Sequence, residues 1–247
     1  IIVEKWHGLS FGIPLTTTKE FIEIFRAATN QKRVDYRGSR FRSEGFQLQL
    51  DPAGTIPVWL GAINDRMLEL AGEAADGVFL TWCPPAEVGG RLSSVHRGAL
   101  ASARDLKQIQ VVCSFWAYAG TDVGAAIESA RRIVLQYAMV PTHQHAFLGS
   151  FPDLARAADA WNSGDRKTAL RSVTDEVVMS MCAIGTPVQV ADRISQYHEA
   201  GVDVAVLLPI ATERGEASGI ADTYFLVADE LRQRGVMRLP ESAERSN

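Results

Sequence analysis

Two hydrophobic periods alternate along this chain, one close to that of a helix and one close to that of a strand, and the alternation predicts an α/β protein. Thr17-Thr18-Lys19-Glu20 has the form of a capping box and opens a helix to Asn30, with Phe21, Ile24, Phe25 and Ala28 on one face. Val34 to Leu50, in which Phe46, Leu48 and Leu50 alternate, predicts a hairpin turning at Gly38. Pro57-Val58-Trp59-Leu60-Gly61-Ala62 is a short apolar run, the pattern of a buried parallel strand. Residues 65–75 have helical period with Met67, Leu68 and Ala71 inward; Asp76-Gly77 ends that helix, and Val78-Phe79-Leu80 forms the next strand.

Pro84-Pro85 starts a helix that reaches Arg104. Ile109 to Tyr118 is rich in β-branched and aromatic residues, as strands are. Thr121 is expected to cap a helix to Tyr137, and residues 141–183 read as further helices with no strand among them. Thr186-Pro187, a cap followed by proline at the first helical position, starts a helix that ends at Gly201. Val204-Ala205-Val206-Leu207-Leu208 is the last strand and Ile220 to Arg234 the last helix. Strands and helices in this order imply a parallel sheet with right-handed crossovers. Four such strands are half of an eight-stranded barrel, and the first helix would follow a strand that the chain does not contain. The expected organisation is one barrel-type domain over residues 1–240, with 141–183 as a helical insert and 241–247 as a flexible tail.

Composition narrows the function. A net charge of −4 and interspersed acids and bases such as Asp165-Arg166-Lys167 argue against a nucleic-acid surface. Cys83, Cys113 and Cys182 are too scattered for a zinc spacing, which suits a reducing cytoplasm. No apolar run approaches the ~20 residues of a membrane span, and no secretory signal precedes the first helix. The chain opens Ile1-Ile2-Val3-Glu4 without an initiator methionine, the beginning expected of an excerpted or processed polypeptide.

Four segments carry a family resemblance: Trp6-His7-Gly8 with Phe11 and Pro14; Ile56 to Ala62 with Met67 to Glu73 and Ala75-Asp76-Gly77-Val78; Thr81-Trp82-Cys83-Pro84-Pro85; and Gly185-Thr186-Pro187 with Val190, Tyr197 and Ala200 to Asp203. Together they resemble the luciferase-like monooxygenase family, in particular its F420-dependent oxidoreductase branch. The resemblance implies a luciferase-like (β/α)8 TIM-barrel fold of which strands five to eight are visible here, the first four belonging before Ile1. It also implies an enzyme that moves a hydride between coenzyme F420 (a deazaflavin) and a small organic substrate. An FMN-dependent monooxygenase is the alternative within the family, and a truncated, non-catalytic barrel paralogue is the rival outside it. A homodimer is expected.

In such barrels the site lies at the C-terminal ends of the strands. Gly61, Ala62, Ile63 and Asn64 are therefore the candidate cofactor loop. Gly61 permits close backbone approach, and the helix start at Asn64 suits a phosphate. Asn64 also reads simply as an N-cap, and Asp65 would repel an anion. Thr81 and Trp82 are candidate pocket residues, Trp82 either stacking on a flat ring or covering the barrel mouth. His7 and Glu4 are candidate proton-transfer groups near the cofactor, each with a plain helical alternative. His143-Gln144-His145 is too small a set for a metal site and fits a loop or lid over the substrate; Arg214, after the last strand, is a candidate contact for a polyanionic tail.

Overall fold

The structure is a computed structural model and describes residues 2–8, 10, 12–30, 33–50, 54–212 and 217–236. The chain divides into two compact units, Ile1–Phe79 with Gly90–Val111, and Leu80–Gly89 with Val112–Asn247.

The first unit opens with a short π-helical turn, Ile2–Trp6, and then α1 (Pro14–Thr29). Helix α1 starts earlier than the capping-box reading of Thr17 predicts. Pro14 fills the first turn, where a missing N–H costs nothing, and the Thr17 hydroxyl donates to the Ile13 carbonyl at 2.9 Å. Glu20 does not serve as the acidic arm of a cap either. It turns to the hairpin of β1 (Val34–Arg37) and β2 (Arg42–Phe46), where its carboxylate accepts from the Ser39, Arg40 and Phe41 backbone N–H groups and from the Ser39 hydroxyl at 2.7–2.9 Å. Burial pushes this carboxyl up, but the four donors outweigh it and hold it at about 2. The inward positions of α1 are accordingly Glu20 and Ile22, while Phe21 is 58% exposed, contrary to the predicted apolar face.

The hairpin turns at Gly38 as expected, with the Gly38 N–H donating to the Phe41 carbonyl and Arg37 opposite Arg42. Beyond it, β3 (Trp59–Gly61) runs parallel to β4 (Gly77–Thr81), pairing Trp59 with Gly77 and Gly61 with Phe79. Strand β3 is parallel, as predicted, but not buried: Trp59 is 49% exposed. Between the two strands lies α2 (Asp65–Ala74), with Leu68, Leu70, Ala71 and Gly72 inward. It crosses α3 (Pro85–Ala101) through glycines, since a Cβ at Gly72 would stand 1.9 Å from the Val95 carbonyl oxygen and one at Gly98 equally close to that of Glu69. The helix-ending Asp76 also ties α1 to the entry of β3, because its carboxylate accepts from the Val58 N–H at 2.8 Å and from Arg26 at 3.0 Å.

The second unit is built on β5 (Gln110–Ala119). Residues 117–119 pair in parallel with β6 (Ala183–Gly185), and residues 112–117 with β7 (Val204–Pro209). Six helices join them: α4 (Val123–Ala138), α5 (Pro141–Ser150), α6 (Leu154–Asn162), α7 (Arg166–Arg171), α8 (Asp175–Met181) and α9 (Pro187–Glu199). The predicted cap of α4 shifts by one residue, because the Asp122 side chain accepts from the Ala125 N–H. Thr186 forms a full capping box with Gln189, in keeping with the helix start predicted there. Strand β6 has no counterpart among the predicted strands; with three residues it is too short to show a period. Helix α10 (Ala217–Gln233) closes the described chain, and its buried Thr223 hydroxyl accepts from the Ala119 N–H at 3.3 Å.

Candidate functional site

The predicted cofactor loop lies in the first unit and the predicted pocket residues in the second. In the first, Gly61 ends β3 in the open: a Cβ built there meets nothing within 4 Å. Ala62 turns inward and donates its N–H to the Phe79 carbonyl. Asn64 sits at the N-cap of α2 with extended backbone, its carbonyl accepting from Met67 and Leu68, but its side chain makes no capping hydrogen bond. The N-cap reading therefore holds for its backbone and not for its amide. First-turn N–H groups of a helix lack partners within the helix and carry the positive end of its dipole.

Two further side chains shape this loop. Arg91, on α3, donates to the Ile63 carbonyl at 2.6 Å and brings a guanidinium beside the loop. Asp65, which on sequence grounds counts against an anion, accepts from the Ser94 hydroxyl at 2.9 Å. Neither partner was foreseeable locally, because Arg91 and Ser94 lie 28 and 29 residues from the groups they meet.

Glu4 and His7 lie on the exposed N-terminal segment, Glu4 in the π-helical turn and His7 just after it. Arg214 and Phe11 lie outside the described residues.

In the second unit, Trp82 follows β4 in a left-handed backbone conformation, φ +52°, which is uncommon for any residue with a Cβ and strained for a bulky one. Its indole is only 7% exposed and packs against Tyr137 at 4.8 Å and Phe147 at 5.6 Å between ring centres. Trp82 belongs to a buried cluster with Leu135, Leu154, Met181 and Ile210. Helices α5 to α8 thus share their core with the residues that leave β4 and β7 at their C-terminal ends. Thr81 is half-buried beside it.

His143 also reaches this cluster. Its ring meets Tyr137 edge-on at 6.3 Å, its Nδ1 is buried with no hydrogen-bond partner among the described residues, and burial lowers its pKa. The cysteines are all buried and unbridged; burial raises the Cys113 thiol and brings that of Cys182 up to about 12, so neither is an activated nucleophile. Among the described residues no three or more His, Cys, Asp or Glu side chains converge as a metal site, and no helix is long and apolar enough to cross a membrane.

Comparison with known proteins places this geometry. The sequence profile of the luciferase-like monooxygenase domain matches residues 2–204. The 5,10-methylenetetrahydromethanopterin reductase of Archaeoglobus fulgidus is 31% identical over 209 residues, covering 81% of this chain and 61% of the relative. Among solved structures, the coenzyme F420-dependent tetrahydromethanopterin reductase of Methanopyrus kandleri superimposes with a TM-score of 0.76 at 22% identity, covering 92% of this chain and 70% of that one. An F420-dependent secondary alcohol dehydrogenase, solved with an F420-acetone adduct, superimposes with a TM-score of 0.67 at 16% identity, covering 91% and 66%. The chain spans about three-fifths of the length of the curated reductases it matches. Its α/β fold with parallel strands is that of these luciferase-like barrel structures.

Proposed function

The chain belongs to the luciferase-like monooxygenase family, and from that premise we propose that it forms the cofactor-holding part of an F420-dependent oxidoreductase acting on a small organic substrate. The observation that carries the proposal is the loop from Gly61 to Asn64. A strand ends there on a glycine with open space where a side chain would stand, the N-cap of a helix stands three residues later, and a guanidinium lies alongside. These features fit the approach of an anionic group to backbone N–H donors.

In this reading the loop holds the phosphate of the cofactor, and Thr81 and Trp82 wall the substrate pocket. Bound F420 would accept or supply a hydride. The protein's part is to orient that cofactor and keep water from the reacting face. His7 and Glu4 are proposed as the groups that move the accompanying proton, and their exposed position requires the segment to meet cofactor or substrate on binding. The buried, unbridged cysteines support a reducing cytoplasm, and the exposed Phe21, Ile56 and Trp59 support association into a homodimer. That both similar solved structures, the reductase and the alcohol dehydrogenase, are F420-dependent enzymes favours F420 over FMN.

The test is Gly61→Val. Because the added side chain enters open space, the fold should survive, so a loss of affinity reports on the loop itself. Binding of F420, followed by its fluorescence, is expected to weaken by about 2 kcal/mol or more, the scale of losing charge-assisted hydrogen bonds. FMN serves as the comparison ligand. A normally folded Gly61→Val protein that binds both cofactors like the parent overturns the assignment.

A further inference from the structure

The aromatic cluster beyond β4 combines two features that plain core packing does not explain. One is the left-handed backbone of Trp82, a strain that persists only where the surroundings enforce it and that is concentrated at ligand sites. The other is the buried Nδ1 of His143, which has no partner among the described residues although an unpaired buried polar atom is costly. Tyr137 connects them, with one contact to the Trp82 indole and another to the His143 ring. Tyr137 is itself 39% exposed, so this side of the cluster borders solvent.

We propose that Trp82, Tyr137 and His143 form a binding site for a neutral organic ligand carrying a hydroxyl or carbonyl oxygen, which hydrogen-bonds to Nδ1 of His143. The rest of the ligand lies against the aromatic faces of Trp82 and Tyr137, and Tyr137 moves aside to admit it. Neutrality follows from the surroundings. Burial lowers the pKa of the imidazole and so favours its uncharged form, and Phe147, Leu135 and Met181 give the cluster an apolar lining in which a charged ligand would lose its hydration. A hydroxyl suits either imidazole tautomer, since it both donates and accepts; a carbonyl suits only the tautomer with the proton on Nδ1. Identifying this ligand as the substrate rests on the oxidoreductase reading above, but the site itself does not depend on F420.

Cyclohexanol is a suitable probe, with methylcyclohexane as the control that keeps the apolar body and lacks the oxygen. In the full chain labelled with nitrogen-15, cyclohexanol should shift the Nδ1 resonance of His143 saturably, and methylcyclohexane should leave it in place. His143→Phe keeps a ring against Tyr137 but removes the nitrogen. It should weaken cyclohexanol binding by about tenfold, one hydrogen bond's worth, while melting no lower than the parent. His143→Asn restores a polar atom near the Nδ1 position and should recover most of the binding. An unmoved resonance, or a His143→Phe protein that binds cyclohexanol like the parent, overturns the proposal. F420 affinity measured on the same samples separates the two readings: a chain that binds cyclohexanol through His143 but no F420 keeps this site and loses the function proposed above.

Discussion

Strands β3 and β5 are both apolar and both run parallel to a neighbour, yet their surroundings differ completely. In β5, Val111, Val112, Cys113, Phe115, Ala117 and Ala119 are all buried, and Phe115 stacks on Tyr197 of α9 at 4.4 Å. In β3, Trp59 and Gly61 are exposed and Leu60 is only half-buried. The difference is not one of residue type, since Trp59-Leu60 is as hydrophobic as any pair in β5. It is one of cover. Within its unit β5 has β7 and β6 paired to it and α9 packed on Phe115, whereas among the described residues of its unit β3 pairs with β4 alone. Apolar patterning states which side chains gain from burial; it does not supply the element that buries them.

The largest expected effect is therefore in β5. Phe115→Ala removes a ring that is 3% exposed and should cost about 3–5 kcal/mol of unfolding free energy, read from urea denaturation. Trp59→Ala removes a larger ring but should cost only about 1 kcal/mol, because half of that ring is already in water. Equal losses would break the comparison and mean that β3 is covered in solution. The exposed Trp59, Phe21, Ile56 and Leu50 lead to a second expectation, that these 247 residues on their own associate at micromolar concentration, as sedimentation velocity would show. A monodisperse monomer with one cooperative melt would contradict this.

The smallest effect concerns the hairpin. Glu20 is held at about 2 against an ordinary carboxylate value of 4.5, so its folded pKa is depressed. Its contribution to stability is present above pH ~4.5 and is lost as pH falls from there toward 2. Glu20→Gln should flatten that acid limb in denaturation curves measured between pH 5 and pH 2 and reduce stability modestly at neutral pH. An unchanged acid limb would show that another carboxylate governs it.

Much of the architecture was legible because its signals are local. Short apolar runs placed β4 and β7, β-branched and aromatic content placed β5, helical period placed α2, and Thr186-Pro187 marked the start of α9, where the structure forms a full capping box. Of the candidate site, the loop from Gly61 to Asn64 could be located from a strand end and a helix start. Arg91 and Ser94 could not, since each reaches the loop from another helix. The capping-box reading of Thr17 and Glu20 failed for a related reason. A carboxylate in a first turn satisfies a cap only if no better set of donors is near, and the turn from Ser39 to Phe41 supplies three backbone N–H groups.

By itself the sequence determined what depends on neighbours a few residues away: the order of the longer strands and helices, the parallel class of the sheet, the turn at Gly38, the cap at Thr186, and a family resemblance spread along nearly the whole chain. Tertiary structure alone decided what depends on distant partners. It turned Glu20 into the anchor of a hairpin and left Trp59 in water while Phe115 was buried. It also set Trp82 in a strained conformation against Tyr137 and Phe147, with Nδ1 of His143 unpaired among the described residues. The physical reason is that periodicity and capping are settled within a turn or two of backbone. Burial, strain and hydrogen-bond satisfaction are set by whichever groups the fold brings within a few ångströms.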